Sequence, residues 1–179
     1  MIISPIEFVS QKKHGKRSEY SCGVACLMML LKYNNTSYHT TFKKLGDFLE
    51  VDKRAIDKSV LIDYNVLRQY GCGSKGAYQE NIIAYLRKVQ INFEASYYTD
   101  DTSIKRNRLS TIIAKIKNNI PLMVEVGKPW EPDGHWLILN GYTLSELYFL
   151  NPYHTIKPKT TKSKECFLKA WDGISLNLV

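Results

Sequence analysis

The chain has 179 residues, of which 44% are hydrophobic and 12% aromatic, so it can form a core and is not a disordered protein. Its formal net charge is +8 at pH 7. A basic balance can indicate a nucleic acid, an acidic membrane surface or an acidic protein as partner. The lysines are spread along the chain, however, and no aromatic-basic recognition motif accompanies them. We therefore expect a lysine-rich solvated surface and no nucleic-acid partner.

The amino terminus carries no recognisable targeting signal. Residues 1–6 lack the basic region and the long apolar region of a secretory signal peptide, and no run approaches the roughly 18 apolar residues that cross a membrane. These features predict a cytoplasmic protein without a transmembrane segment, while export by a route that uses no signal peptide stays open. The absence of repeats and long linkers predicts one domain over residues 1–179.

The first half of the chain has helical patterns. Residues 23–33 are apolar on nearly every side, which predicts a buried central helix. Apolar residues at helical spacing predict further helices over residues 41–49, 56–70 and 79–89. A glycine-rich loop, residues 71–76, lacks the spacing of a Walker motif, so we expect no phosphate site there.

The second half of the chain turns to strands. Alternation and short apolar runs predict strands over residues 91–98, 121–126, 136–142, 147–150 and 174–179. Helices are predicted over residues 103–118 and 164–171. Helices first and an antiparallel sheet second predict a fold of the α+β class.

The cysteines Cys22, Cys26, Cys72 and Cys166 favour reduced thiols, because the chain exceeds typical disulfide-stapled domains and lacks a secretory signal. Cys22 and Cys26 lie one helical turn apart, which also suits two metal ligands, but no second clustered pair completes a zinc site. Cys22 stands at the predicted start of the buried helix, where free backbone N–H groups and the helix dipole favour an anion. Its pKa should therefore fall, which makes Cys22 a candidate nucleophile. The alternative is an inert buried thiol.

A thiol nucleophile needs a base, and His135 is the best placed of the four histidines. It follows a turn signal and begins an apolar strand, which would hold the ring in place. Asn151 ends the next strand, and the two residues are equidistant from Thr143. A hairpin that turns about Thr143 places them opposite each other, with Asn151 accepting the Nδ1–H of His135 and Nε2 facing the thiol. The alternative for Asn151 is an ordinary turn residue before proline.

The order of these residues resembles that of papain-like cysteine peptidases, and more closely that of the bacteriocin-processing (double-glycine leader) peptidases. The resemblance rests on the run from Cys22 to Cys26, on the segment from His135 to Tyr142 and on the pair Asn151-Pro152. It implies a papain-like fold in which an N-terminal helical lobe, with a central nucleophile helix, packs on a C-terminal antiparallel sheet. It also implies catalysis by Cys22, His135 and Asn151 with no cofactor and no metal.

The family further implies a glutamine upstream of the nucleophile, whose side-chain amide and the nucleophile's backbone N–H form the oxyanion hole. Gln11 resembles that residue. The family places the glutamine closer to the cysteine, where this chain has Lys16, and a basic insert over residues 12–17 lengthens the loop. A second departure is Asn151, since the bacteriocin family more often has aspartate there and papain has asparagine. Many members are fused to an ATP-driven transporter, so the resemblance alone does not establish a role in secretion.

These features together predict a cysteine peptidase that cleaves a peptide or protein substrate through a thioester, with Cys22, His135, Asn151 and Gln11 at the site. Two alternatives stay open. The same triad serves glutamine deamidases and transglutaminase-type effectors, and a non-catalytic module could bind a peptide without cleaving it. Sequence does not separate these, because the loops that shape the substrate groove decide the reaction.

Overall fold

The helices begin and end close to the predicted positions. The computed structural model describes residues 2–13, 21–35, 40–49, 77–131, 134–155 and 159–179. In these ranges, a 3-10 turn at Gln11–Lys13 precedes five helices: α1 (Cys22–Tyr33), α2 (Phe42–Phe48), α3 (Gln79–Lys88), α4 (Thr102–Lys117) and α5 (Lys164–Ala170). The predicted helix over residues 56–70 and the loop over residues 71–76 lie outside the described residues. Within the described ranges, no helix is both long enough and apolar enough to span a membrane.

In the described part of the chain, seven strands form one antiparallel sheet with the order β2-β7-β3-β4-β5-β6, and β1 pairs with β4 beside this path. The strands are β1 (Ile2–Ile3), β2 (Phe93–Ser96), β3 (Leu122–Val126), β4 (His135–Tyr142), β5 (Glu146–Leu150), β6 (Lys159–Ser163) and β7 (Trp171–Leu178). Helices in the first half and a sheet mainly in the second confirm the predicted α+β class.

Each face of the sheet carries its own apolar core. On one face, α1, α2 and α3 pack against side chains that include Met123, Trp136 and Leu176. On the other face, α4 and α5 cover Val124, Leu137 and other apolar side chains. The alternation of side chains along a strand explains this division, because neighbouring residues point to opposite faces. The central strands β3 and β4 are therefore covered on both sides. Residues at the ends of these two strands are consequently held in fixed positions.

The pairing of β4 with β5 differs from the prediction. The turn comes later than Thr143, so that Tyr142 pairs with Leu147, and a bulge between Leu139 and Gly141 then shifts the register. Ile138 consequently pairs with Leu150, which places Asn151 level with residue 137. The prediction that His135 and Asn151 are directly opposite is therefore wrong by two residues, a diagonal spacing that polar side chains can still bridge.

Candidate active site

The nucleophile candidate Cys22 is the first residue of α1 and is only 7% exposed. Ser21 takes the cap position, where its carbonyl accepts the first helical bond from the N–H of Ala25 at 3.0 Å. Helix α1 packs directly on β4, and Gly23 lies against Trp136 of that strand. A Cβ built on Gly23 would lie 2.7 Å from Ala77 Cβ and 3.1 Å from Trp136 Cδ1, so only glycine lets the helix start approach the strand this closely.

The base candidate His135 is the first residue of β4 and is 8% exposed. Its Nε2 lies 2.8 Å from Oδ1 of Asn151. The same Oδ1 accepts the backbone N–H of Tyr153 at 3.0 Å. A backbone N–H can only donate, so this bond fixes which end of the Asn151 amide is the oxygen. Nε2 of His135 must then carry the hydrogen that it shares with Asn151.

The ring of His135 is also close enough to the Cys22 side chain for the charge and hydrogen bonding of the thiol to raise the pKa of the histidine. Since Nε2 is occupied by Asn151, Nδ1 is the nitrogen that faces the thiol. This reverses the expected roles of the two nitrogens, in which Nδ1–H was to bind Asn151. The physical reason is the register shift, which brings Asn151 to the ring diagonally and sets the ring orientation accordingly. The structure nevertheless brings Cys22, His135 and Asn151 together in the expected order.

The electrostatics of the pair favour charge separation. Burial alone would raise the pKa of the Cys22 thiol, but the charge and hydrogen bond of His135, together with the backbone N–H groups of Trp136 and Gly23, outweigh burial and lower it. Burial likewise opposes the charged form of His135. The charge and hydrogen bonding of Cys22, the hydrogen bond to Asn151 and the charge of Glu131 nevertheless raise the pKa of His135 to about 9. Both shifts favour a thiolate beside an imidazolium.

Gln11 lies in the 3-10 turn and is 1% exposed. Its backbone N–H donates to the carbonyl of Pro152 at 2.9 Å, which holds the turn next to Asn151. The 3-10 turn also contacts α1, the helix that begins with Cys22. Gln11 is therefore a buried residue whose backbone lies next to Pro152 and whose turn contacts α1, and its part in an oxyanion hole stays a prediction. Lys16, the alternative position, lies outside the described residues.

The other cysteines and histidines have different surroundings. Cys26 is fully buried, and burial together with the neighbouring Cys22 raises its pKa well above the usual value, so it stays a protonated thiol whose S–H donates to the carbonyl of Trp136 at 3.4 Å. Cys166 on α5 accepts a hydrogen bond from the indole N–H of Trp130. His154 lies on the surface. Cys72, His14 and His39 lie outside the described residues.

One buried residue near the pair was not expected to contribute to the site. Glu125 is the fourth residue of β3, is 8% exposed, and interacts electrostatically with both Cys22 and His135. The sequence did carry a signal for it. A single charged residue inside an otherwise apolar five-residue strand is unusual. Burying a carboxyl group costs free energy, so acids are rare in buried strands unless they have a functional role.

Comparisons with solved structures show the fold. A protein from Bacillus anthracis described as a C39-like peptidase superposes with a TM-score of 0.69 at 14% identity, with 99% of this chain and 96% of that chain covered. A double glycine motif protease from an AMS/PCAT transporter, solved in complex with the leader peptide, gives 0.57 at 14% identity, covering 99% and 94%. The peptidase domain of Streptococcus ComA, a bi-functional ABC transporter involved in a quorum sensing pathway, gives 0.57 at 20% identity, covering 88% and 90%.

These similarities confirm the predicted papain-like fold, in which a central buried helix packs on an antiparallel sheet. A search of curated protein sequences gives no significant match. The family comparison covers nearly all of the sequence, since residues 3–177 match the Peptidase_C39 like family. On this match and on the fold, the chain belongs to the Peptidase_C39 like family of peptidases.

Proposed function

We propose that this protein is a cysteine peptidase in which Cys22 is the nucleophile, His135 the acid and base, and Asn151 the residue that orients the ring. The observation that carries the proposal is the position of the His135 ring, whose Nε2 lies 2.8 Å from Oδ1 of Asn151 and whose charge lowers the pKa of the Cys22 thiol. This is the geometry in which a base is itself held by a third group.

The reaction would begin when the Cys22 thiolate attacks the carbonyl carbon of the scissile peptide bond. Negative charge then develops on the carbonyl oxygen, where the backbone N–H of Cys22 and the side-chain amide of Gln11 stabilise it. The imidazolium of His135 donates its Nδ1 proton to the leaving amine, and the C–N bond breaks to leave a thioester on Cys22. Neutral Nδ1 next takes a proton from water as it attacks the thioester, which releases the acid product and restores the thiolate–imidazolium pair.

A peptide is the substrate that the family and its fold support. One structural neighbour is a double glycine motif protease in complex with a leader peptide, and another is a peptidase domain of an ABC transporter. The leader peptide bound to the first of these proteins and the peptidase description of the second support a peptide or protein substrate for this chain. The site candidates are side chains and backbone groups of the protein, so the proposed chemistry uses no cofactor or metal.

The proposal is tested by comparing the wild type with Cys22→Ala and His135→Ala on a mixed peptide pool read by mass spectrometry. We expect fragments that appear with the wild type and are absent from both variants. Cys166→Ala is the matched control, because it removes a thiol on α5 rather than at the start of α1 and should leave the fragments unchanged. A gain of about 1 Da on glutamine in place of fragments would indicate a deamidase that uses the same nucleophile.

Thiol labelling gives an independent readout of the same proposal. The wild-type Cys22 should react with iodoacetamide faster at pH 6 than a free thiol does, since its pKa is lowered, and His135→Ala should abolish this advantage. An unperturbed labelling rate together with no product dependent on Cys22 would refute the peptidase.

A further inference from the structure

Glu125 is a buried acid that the proposed mechanism does not use. On β3 it pairs with Trp136 of β4 and alternates with Met123, and both of these side chains lie in the core beneath α1. Glu125 therefore points to the α1 face of the sheet, the face that Cys22 also occupies. Among the described residues, the groups that act on its carboxyl group do so through their charge, and none of them is a hydrogen-bond donor to it.

A second acid, Asp172, lies beside it at the start of β7. The pairing of β3 with β7 runs from Val124 opposite Ser175 to Val126 opposite Trp171, so residues 172–174 of β7 bulge out beside Glu125. The Asp172 carboxylate lies over Gly127, where a Cβ would be 3.1 Å from Oδ2 and 3.2 Å from Oδ1. The absence of a side chain at position 127 thus leaves room for this carboxylate.

The two acids adjoin the reactive pair. Glu125 interacts electrostatically with Cys22, His135 and Asp172, and with Glu80 near the start of α3. Gly127 follows Val126, which pairs with His135 across the sheet. Glu125 is buried, Asp172 is half-buried and Glu80 is exposed, so the acids lead from the interior beside Cys22 to the surface.

The charge of these acids is poorly balanced by the protein. Among the described residues, the groups that act on Glu125 include three other acidic groups and a single cation, His135, while Lys105 acts on Asp172. The formal net charge of the chain is +8. A local excess of acidic groups therefore contrasts with the basic charge of the protein as a whole. Buried carboxylates without cations are unfavourable, and a cationic ligand that pairs with them removes that cost.

We propose that Glu125 and Asp172 form a specificity pocket for a lysine or arginine side chain of the substrate, flanking the scissile bond. The proposal deepens the proposed peptidase function and rests on it. A guanidinium or ammonium group fits a pair of carboxylates because it presents several N–H donors to their oxygens. Glu125 and Asp172 would thereby anchor the peptide beside Cys22 without touching the reacting atoms.

The titration of the acids agrees with this role. Burial, and then the charge of Asp172, raises the pKa of Glu125 to about 8, and burial raises the pKa of Asp172 to about 6. A bound cation stabilises both carboxylates and lowers both values, so binding a basic side chain would release protons near neutral pH.

The test measures how the charge of a small thiol reagent affects its reaction with Cys22. Two methanethiosulfonates of similar size are used, one with a permanent trimethylammonium cation and one with a sulfonate anion, and mass spectrometry reads the labelled Cys22 peptide. At about pH 8.5, above the pKa values of both acids, we expect the wild type to favour the cation, and Glu125→Gln and Asp172→Asn each to reduce the cation-to-anion rate ratio about fivefold. Any change in the Cys22 pKa affects both rates equally and cancels in the ratio.

The matched control is Glu146→Gln, which removes one negative charge at the far end of β5 from Asn151 and should leave the ratio unchanged. A wild type that favours the anion, or a ratio that Glu125→Gln leaves unchanged, would overturn the pocket. The substitutions are isosteric, and far-UV circular dichroism of each variant confirms that a changed ratio comes from a folded protein.

The peptide pool provides the second readout. We expect bonds cleaved by the wild type to carry lysine or arginine within two residues, an enrichment that persists with N-acetylated peptides and is lost in Glu125→Gln. Cleavage without this enrichment would contradict the inference, and so would dependence on a free amino terminus. Absence of any cleavage, with the cation preference of labelling intact, would refute the peptidase while supporting the acidic pocket.

Discussion

At the scale of single residues, the behaviour of the site depends on which bond each nitrogen of His135 makes. Asn151 accepts from Nε2 and from the backbone N–H of Tyr153 through one oxygen, so the amide is locked in place and the ring is locked by the amide. Nδ1 is then the nitrogen that shares a proton with Cys22. A neutral asparagine holds the ring without adding the negative charge that an aspartate would bring.

The pH dependence of cleavage follows from these contacts. The lowered pKa of Cys22 and the raised pKa of His135, about 9, mean that thiolate and imidazolium coexist between the two values. Cleavage should therefore fall above about pH 9, where His135 loses the proton that the leaving amine needs. Alkylation of Cys22 should persist there, because it needs only the thiolate.

Replacing Asn151 tests the cause of the fall in cleavage rate at high pH, which is the alkaline limb of the pH–rate profile. Asn151→Ala removes the acceptor of Nε2–H and should move the limb of the rate profile to lower pH, whereas Asn151→Asp adds a negative charge and should move it higher. Rates of peptide cleavage between pH 5 and 10 measure both shifts. A limb at the same pH in all three proteins would contradict the role of Asn151 in holding the ring.

At the scale of elements, the site exists because α1 approaches β4 without an intervening side chain. Gly23 contacts Trp136 on β4 and Ala77 before α3, and the indole N–H of Trp136 donates to the carbonyl of Ala77 at 2.9 Å. Three segments therefore meet within one turn of Cys22. A shift of any one of them moves the thiol relative to the His135 ring.

Gly23→Ala should damage both stability and activity. The new methyl group would overlap Ala77 Cβ at 2.7 Å, and relieving this clash should lower the free energy of unfolding by roughly 1–3 kcal/mol. Urea unfolding measures this loss, and the rate of Cys22 labelling measures the displacement of the thiol. Ala77→Gly in the same chain removes the overlapping atom, so the double variant should recover part of the stability. Equal losses in the single and double variants would show that the close contact is not the cause.

The elements with strong patterns were predictable from the sequence. Helix α1 is apolar around most of its surface, and β3 and β4 are continuous apolar runs, so each was found within two residues of its ends. Strand β6 was missed, because Lys159–Ser163 is polar throughout and lies at the sheet edge, where no core imposes an apolar pattern. The β4–β5 register was missed because a bulge leaves no local signal in the residues that flank it.

The site was predictable where a residue stands at the end of an element. Cys22 begins α1, His135 begins β4 and Asn151 follows β5, so chain order alone indicated their meeting place. The roles of the two ring nitrogens were not predictable, since they depend on register and on side-chain rotation. Glu125 was missed for the opposite reason, because it lies inside a strand whose apolar neighbours dominate the pattern.

At the scale of the whole molecule, the sheet separates an apolar core beneath α4 and α5 from a second core that contains buried acid near its edge. A carboxyl group whose pKa is higher in the folded than in the unfolded state makes the folded protein bind more protons. The free energy of unfolding therefore falls as pH rises through the window between those two values. For Glu125 this window runs from its ordinary value of 4.5 to about 8.

Glu125→Gln should remove this dependence. We expect the variant to gain stability over the wild type as pH rises from 5 to 8, by roughly 1 kcal/mol or more, because glutamine avoids ionising a buried group. Denaturant unfolding at pH 5, 6.5 and 8 measures the difference. Glu146→Gln should show no such trend, and a constant difference between Glu125→Gln and the wild type would refute the account.

The pairing of the chain's first residues with later ones has a consequence for its synthesis. Ile2 and Ile3 pair with β4, the N–H of Ser4 donates to the carbonyl of Asn140, and the N–H of Gln11 donates to that of Pro152. These contacts join segments more than a hundred residues apart, and such contacts form late because a long loop must close first. A nascent chain that has only reached α4 holds Cys22 but neither His135 nor Asn151. The Cys22 thiol of such a nascent chain keeps an ordinary reactivity. It becomes an activated nucleophile only after most of the chain has left the ribosome.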